Sequence, residues 1–488
     1  ICPCAIMFAL VAFCLSSCSK SADIADDIPP DEPVSIVISA ITVDGIEAVQ
    51  PNDSTFYVRL PYGADTKSLP VVFDTESTIL AGGVTDPSAV DLSNPLILIS
   101  SNGEESRQYS LIACFSDLPV VYVNASGPVL NKTDWVKKST MQVANAGPHD
   151  AVYSMSIRGR GNSTWEYPKK PFAIKLDGKA EVLGMPKHKR WCLLANWMDR
   201  TNIRNDVAFR IADVMTGLEW TPKGRFVDLV YNGEFVGNYY LCEQIKVDKH
   251  RVNIDELDLA DIDGVSLTGG YLLEFDEYFD EDYKFMTDRL KLPVNLKSPD
   301  EDVPDAQMNY IQSYVNEVEQ KLAAKAPYTE IETLIDIDSY IDWWLVYELV
   351  VCDEPNHPKS AYMYKKRGGK LYAGPVWDFD WGTFRNPARW VDRYSIWYRY
   401  LFNYKEFKSR LKERWAGHRK ALGEIPEYID SLQRAIAASC DYDCALWPLE
   451  GLSSINADEN LSFAESVALL KENYLKRLEW MDVNIEKF

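Results

Sequence analysis

GPVWDFDWGTF, residues 374–384, places Asp378 and Asp380 on either side of a single phenylalanine. A third aspartate, Asp353, stands upstream in VVCDEPNHPKSAYMY, residues 350–364. Between them the residue pattern predicts a strand over 361–366, a turn at Gly368-Gly369 and a second strand over 370–376. Apolar positions at helical spacing predict a helix over 337–351 just before this unit. The order is helix, acidic loop, hairpin, Asp-Phe-Asp. Phosphoryl transfer has a use for each part, since one carboxylate aims an acceptor hydroxyl and another holds Mg2+ against nucleotide phosphates. Asp353 suits the first role, and Asp378 with Asp380 suits the second, because hard oxygen ligands match Mg2+. Turn-forming aspartates beside a hairpin are the plain alternative.

Upstream, Arg158-Gly159-Arg160-Gly161-Asn162 lies between two predicted strands. Glycines let a backbone approach a phosphate, and guanidiniums fork onto its oxygens. PKKPFAIKLD follows, and in an extended strand Ala173 and Lys175 share a face. A lysine on the strand after such a hairpin occupies the place of a phosphate-binding lysine. Asp199 reads as the cap of a helix over 201–215, and Arg204 as the partner of a core carboxylate. Glu243 closes the hairpin strand YYLCEQI, where it either pairs with Lys175, holds a ligand or sits on a rim.

The bulk numbers bound the answer. A chain of 488 residues, 46% hydrophobic and 25% charged, has the composition of an ordinary globular protein with a large core. The formal net charge of −22 excludes a nucleic-acid partner, whose phosphates need lysine and arginine. An apolar run, IMFALVAFCL over 6–15, is too short to span a bilayer and has the length of an export signal. Leu15-Ser16-Ser17-Cys18 then matches a lipoprotein signal, with Cys18 as the lipidated residue. That assigns 1–18 to a signal and 19–33 to a polar tether, and it expects an extracytoplasmic protein anchored to a bacterial membrane, the outer membrane for preference. Of the later cysteines, Cys440 and Cys444 either pair as a disulfide or sit one helical turn apart as free thiols.

Residues 34–116 alternate apolar and polar side chains in short runs divided by turn signals such as Asp44-Gly45 and Asn102-Gly103. That pattern predicts an all-β sandwich of immunoglobulin-like type, serving as a spacer or adhesion module. Residues 118–488 form the main domain, sheet-rich in front and helical behind. Helices are predicted over 306–325, 404–422, 425–439 and from 462 towards the end. The fold class is α+β, and the arrangement expected of the main domain is bilobal and kinase-like.

RGRGNSTW with KKPFAIKL, LLANWMDRTNIRND, VYNGEFVGNYYLCEQI and GPVWDFDWG together resemble the spore-coat protein H (CotH) kinase family of atypical secreted protein kinases. The resemblance runs from about Val120 to the C-terminal helices. It implies transfer of the ATP γ-phosphate to serine or threonine of secreted or surface proteins, with Mg2+ or Mn2+. It implies that Asp353 is the catalytic aspartate, Asp378 the metal aspartate assisted by Asp380, and Lys175 the phosphate lysine. Arg158, Gly159, Arg160, Gly161 and Asn162 match the nucleotide loop, with Glu243 beside it. Many members carry Lys-Asn where this chain has Lys359-Ser360, so Asn356 or His357 is left to replace the second metal-holding asparagine. The competing expectation is a degenerate kinase-like surface protein that holds glycan or protein through exposed Trp390, Trp397, Tyr398 and Tyr400.

Overall fold

The computed structural model describes residues 34–81, 86–449, 452 and 455–488. The export signal, Cys18 and the tether lie outside the described residues. No helix among the described residues is long and apolar enough to cross a membrane.

The N-terminal module is built from β1 (Ala40–Val43), β2 (Ile46–Glu47), β3 (Val49–Asn52), β4 (Thr55–Arg59), β5 (Val71–Asp74), β6 (Thr78–Ala81), β7 (Leu96–Ser101) and β8 (Ser106–Cys114). They form two sheets, β2-β1-β5 and β3-β4-β8-β7-β6. Apolar residues that alternate along these strands, such as Ile41, Val43, Phe56, Val58 and Leu98, are buried in one shared core. The β4–β8 pairing is parallel, which turn punctuation could not reveal and which departs from the wholly antiparallel sheets expected of an immunoglobulin-like sandwich. The module is not a freestanding spacer. Tyr62 stacks on Tyr442 with ring centroids 4.9 Å apart and meets Phe115 and Phe235. At the same joint the buried Asp228 carboxylate accepts from Tyr62 (3.0 Å), Ser116 (2.8 Å) and Ser439 (2.6 Å).

The next unit is a closed barrel, in the order β10-β11-β12-β13-β15-β14-β9. Its strands are β9 (Val120–Asn124), β10 (Val136–Ala144), β11 (Ala151–Gly159), β12 (Phe172–Val182), β13 (Met185–Leu194), β14 (Gly224–Tyr231) and β15 (Glu234–Glu243), with helix α1 (Arg204–Asp213) between β13 and β14. A parallel β9–β14 pairing, Val120 opposite Asp228, closes it. The sheet-rich front expected of the main domain is thus a seven-stranded closed barrel. Closure removes both sheet edges, which would otherwise expose unpaired backbone groups.

The remaining sheet, β17-β18-β16-β19-β20, uses β16 (Tyr271–Phe275), β17 (Lys284–Met286), β18 (Pro293–Ser298), β19 (Ala361–Lys365) and β20 (Leu371–Ala373). Helices α2 (Asp305–Ala323), α3 (Tyr328–Leu334), α4 (Ile337–Val350), α5 (Tyr398–Leu401), α6 (Lys405–Leu422), α7 (Ile425–Leu446) and α8 (Phe463–Ile485) cover it. Helix α4 is apolar on every face and buried at every position except Asp338. Asp336 caps it by accepting from Ser339 N at 3.0 Å. Val351 ends it in the left-handed region, φ 59°, and throws the chain into the acidic loop. Trp397 and Tyr398, expected on the surface, are buried at the heart of this helical half. Tyr398 donates to the Tyr340 carbonyl at 2.7 Å, while Trp390 and Tyr400 are half-buried against the same core. Cys440 and Cys444 are free thiols one turn apart in α7.

Candidate active site

A cleft of about 540 Å³ separates the barrel from the second sheet. Its barrel wall is cationic. The β11–β12 connection carries Arg158 to Asn162, and Gly161 holds φ +82°, a conformation that favours glycine. A Cβ at Gly159 would come within 2.6 Å of the Trp165 ring. Both glycines are therefore required by local packing as well as suited to a phosphate. Arg158 and Arg190 lie over the Trp135 ring, 4.6 and 4.9 Å from its centroid. Arg160 lies 5.5 Å over Trp377. None of these three guanidiniums has an ion-pair partner among the described residues, although acidic residues outnumber basic ones in the chain. Burial, and then the proximity of Arg190, pulls the Arg158 guanidinium below its ordinary range. Asn162 accepts from Lys132 Nζ at 3.2 Å, which fixes the outer end of the connection.

The facing wall is anionic. The chain leaves β20 through Gly374, and Asp378 adopts φ +71°. Phe379 is fully buried, donates its N–H to Asn205 at 2.8 Å and packs 5.1 Å from the Tyr347 ring. Anchoring Phe379 in the core leaves Asp378 and Asp380 to line the cleft. Asn456 clamps the following turn by accepting from Gly382 N (2.8 Å) and donating to the Asp380 carbonyl (3.0 Å). Ser360, the residue in place of the expected asparagine, donates to Asp276 from its N–H (3.0 Å) and to Asp378 from its hydroxyl (3.4 Å). Glu354, Glu274 and Asp276 line the same wall, with Lys297 paired to Glu274 at 3.0 Å.

Electrostatics separate the two walls. Burial raises the Asp378 carboxyl while Arg160 opposes the rise. Burial and then Asp378 raise both Asp380 and Glu354. Burial and then Glu274 push Asp276 up to about 6. These carboxylates crowd one another, and Arg160 and Lys359 offset part of the repulsion. No three His, Cys, Asp or Glu side chains among the described residues converge into a self-sufficient metal cage. Mg2+ does not need one, because it is held by one or two carboxylates with waters and substrate phosphates. The oxygen donors of Asp378 and Asp380 fit that requirement.

Several expected site residues lie elsewhere. Lys175 is exposed, opposite Ser156 and Arg190 and outside the cleft lining. Ala173, two residues earlier, and Arg190, directly opposite Lys175, do line the cleft. Glu243 is buried behind the wall, 3.7 Å from Arg251, and accepts from Lys223 N at 3.1 Å. It reaches neither Lys175 nor the cleft. Asn356 does not face the carboxylates; its amide donates to the carbonyls of Val391 (2.8 Å) and Asp353 (3.1 Å), bracing the loop. Asp353 turns out of the lining onto Arg385, at 3.1 Å. Its neighbour Glu354 faces in. Asp199 and Arg204 behave as read: Asp199 accepts from Arg204 N (3.0 Å) and pairs with its guanidinium, which also holds Asp458 at 2.7 Å. Arg190, Lys246, Lys297, Glu274 and Asp276 also line the cleft and were not singled out from sequence. The acidic run FDEYFDED, residues 275–282, was the available signal for Asp276.

The CotH kinase protein family matches residues 157–481, a span that includes both walls of this cleft. The chain belongs to the CotH kinase family. No curated protein matches it. A solved structure described as a "putative glycoside hydrolase from Bacteroides thetaiotaomicron" aligns at 14% identity over 34% of this chain and 53% of that one. This chain thus spans about half of that structure, and at a TM-score of 0.16 the likeness bears on neither fold nor function.

Proposed function

We propose that this chain is an extracytoplasmic protein kinase, tethered to the cell envelope through Cys18, which transfers the ATP γ-phosphate to serine or threonine of secreted or surface proteins. The observation that carries the reading is the pairing of opposites across one cleft. Three guanidiniums without ion-pair partners among the described residues face carboxylates that repel one another, and a metal–nucleotide complex satisfies both walls at once. Arg158, Arg160 and Arg190, with the backbone of Gly159 and Gly161, bind and orient the phosphates. Asp378 and Asp380 would hold Mg2+ or Mn2+, which when bound neutralises charge building on the phosphates. Trp377 and Trp135, under the guanidiniums, hold those side chains in place.

The test is incubation of the chain from residue 19 onward with γ-labelled ATP and Mg2+ or Mn2+, beside Asp378→Ala. Label on the protein or on an added acceptor, lost by at least about a thousandfold in the variant, is expected for a group acting on the transferring phosphoryl. No label and no nucleotide-dependent thermal shift in the wild type would overturn the reading. Ser360 favours a second reading, a kinase-like protein that binds without transferring. A nucleotide-dependent thermal shift without label would select it.

A further inference from the structure

Adjacent acidic residues open the loop after α4, and the structure separates their environments. Asp353 is paired to Arg385 at 3.1 Å and its carboxylate stands outside the cleft lining. Its backbone carbonyl accepts from Asn356, which is itself held by Val391. Glu354 begins the 3-10 turn Glu354–Asn356 and lines the cleft with Asp378 and Asp380. Its carboxylate makes no hydrogen bond and no ion pair within 4 Å among the described residues. The left-handed Val351, φ 59°, and the Asn356 brace fix which of the two neighbours faces inward.

We infer that Glu354, and not Asp353, is the catalytic carboxylate that receives the acceptor hydroxyl. The inference rests on the kinase reading above. In the step it serves, the acceptor O–H bond breaks and its proton passes to a Glu354 oxygen. The acceptor oxygen forms the new bond to the γ-phosphorus, and the bond from that phosphorus to the β–γ bridging oxygen breaks, releasing ADP. Asp353 then takes no part in the step and forms a surface ion pair with Arg385.

Two measurements test this. In the transfer assay, Glu354→Gln is expected to lower kcat by about a hundredfold or more with the KM for ATP and the nucleotide-induced thermal shift preserved. Glu354→Asp should recover part of the rate, and Asp353→Asn should stay within about threefold, as for a half-exposed ion pair. The second measurement needs no turnover. Carbodiimide labelling of carboxyls, mapped by peptide mass, should modify Glu354 in the free chain and lose that label when MgADP is added, while Asp353 does not respond. An active Glu354→Gln variant, or an Asp353→Asn variant as impaired as Glu354→Gln, overturns the inference and leaves the kinase reading intact. A Glu354 label indifferent to MgADP overturns it as well. A wild type that transfers no label overturns the kinase reading, and this proton transfer with it.

Discussion

The helical half and the cleft bury the same kinds of charged side chain and treat them in opposite ways. In the helical half, Arg477 is fully buried and saturated. It donates to Glu348 Oε2 (2.6 Å), to the Glu348 carbonyl (2.8 Å) and to the carbonyls of Pro387 and Arg389 (each 3.0 Å). Glu348 in turn accepts from the N–H groups of Val391 and Asp392. Arg414 and His418 close on the buried Asp342 in the same manner, at 2.6 and 3.2 Å. In the cleft, Arg158, Arg160 and Arg190 have aromatic rings beneath them and no ion pair within 4 Å among the described residues, and the Glu354 carboxylate accepts no hydrogen bond from them. Buried charge is costly unless paired. A chain that saturates Arg477 and Asp342 in one half and leaves three cleft guanidiniums without ion pairs in the other has the pattern suited to an anionic ligand at the cleft.

That contrast can be broken or sharpened by measurement. The largest effect belongs to the saturated set. Arg477→Met leaves Glu348 buried without its cation and should cost about 3–5 kcal/mol in urea unfolding. A loss under 1 kcal/mol would place Arg477 with the unpaired charges instead. Next is Asp276. Burial holds it at about 6 in the folded chain, above the roughly 3.9 of an unfolded one. A raised carboxyl stabilises the fold fully below the lower value and loses that contribution as pH rises through the upper one. Asp276→Asn should therefore gain on the wild type between pH 4 and pH 7 by on the order of 2 kcal/mol. A gap that stays constant with pH would refute the assignment. Arg158→Ala combined with Arg190→Ala should change stability by no more than about 1 kcal/mol, because lost contact with Trp135 is offset by relief of the repulsion between them. Smallest is Lys175→Ala, which leaves nucleotide binding and transfer within about twofold, since the side chain is exposed outside the cleft. A tenfold loss would return it to the site.

Much of the helical half was legible because its signals are local. The apolar run before Val351 and the turn at Gly368-Gly369 located α4 and the β19–β20 hairpin within a residue or a few. Asp378 and Asp380 were legible for the same reason, since a buried Phe379 between them forces both outward. The barrel was not legible. Its closing pair joins Val120 to Asp228, and no periodicity reports a partner about a hundred residues away. Trp397 and Tyr398 were misjudged because an aromatic serves a core or a surface equally well until its neighbours are known. That Asp353 pairs with Arg385 while Glu354 lines the cleft was not legible either. Adjacent residues on a loop differ in direction according to the turn that carries them, and the left-handed Val351 leaves no trace in composition.

The central claim is that the unpaired guanidiniums of the cleft belong to a nucleotide. Calorimetric titration of ATP with Mg2+ into the wild type and into Arg158→Ala, Arg160→Ala, Arg190→Ala combined tests it most directly. The account predicts saturable one-site binding in the wild type, and loss of at least about a hundredfold in affinity in the triple variant, since each charge-assisted phosphate contact contributes about 1.5–3 kcal/mol, at a melting temperature close to that of the wild type. Equal binding by both proteins, or none by the wild type, would contradict it.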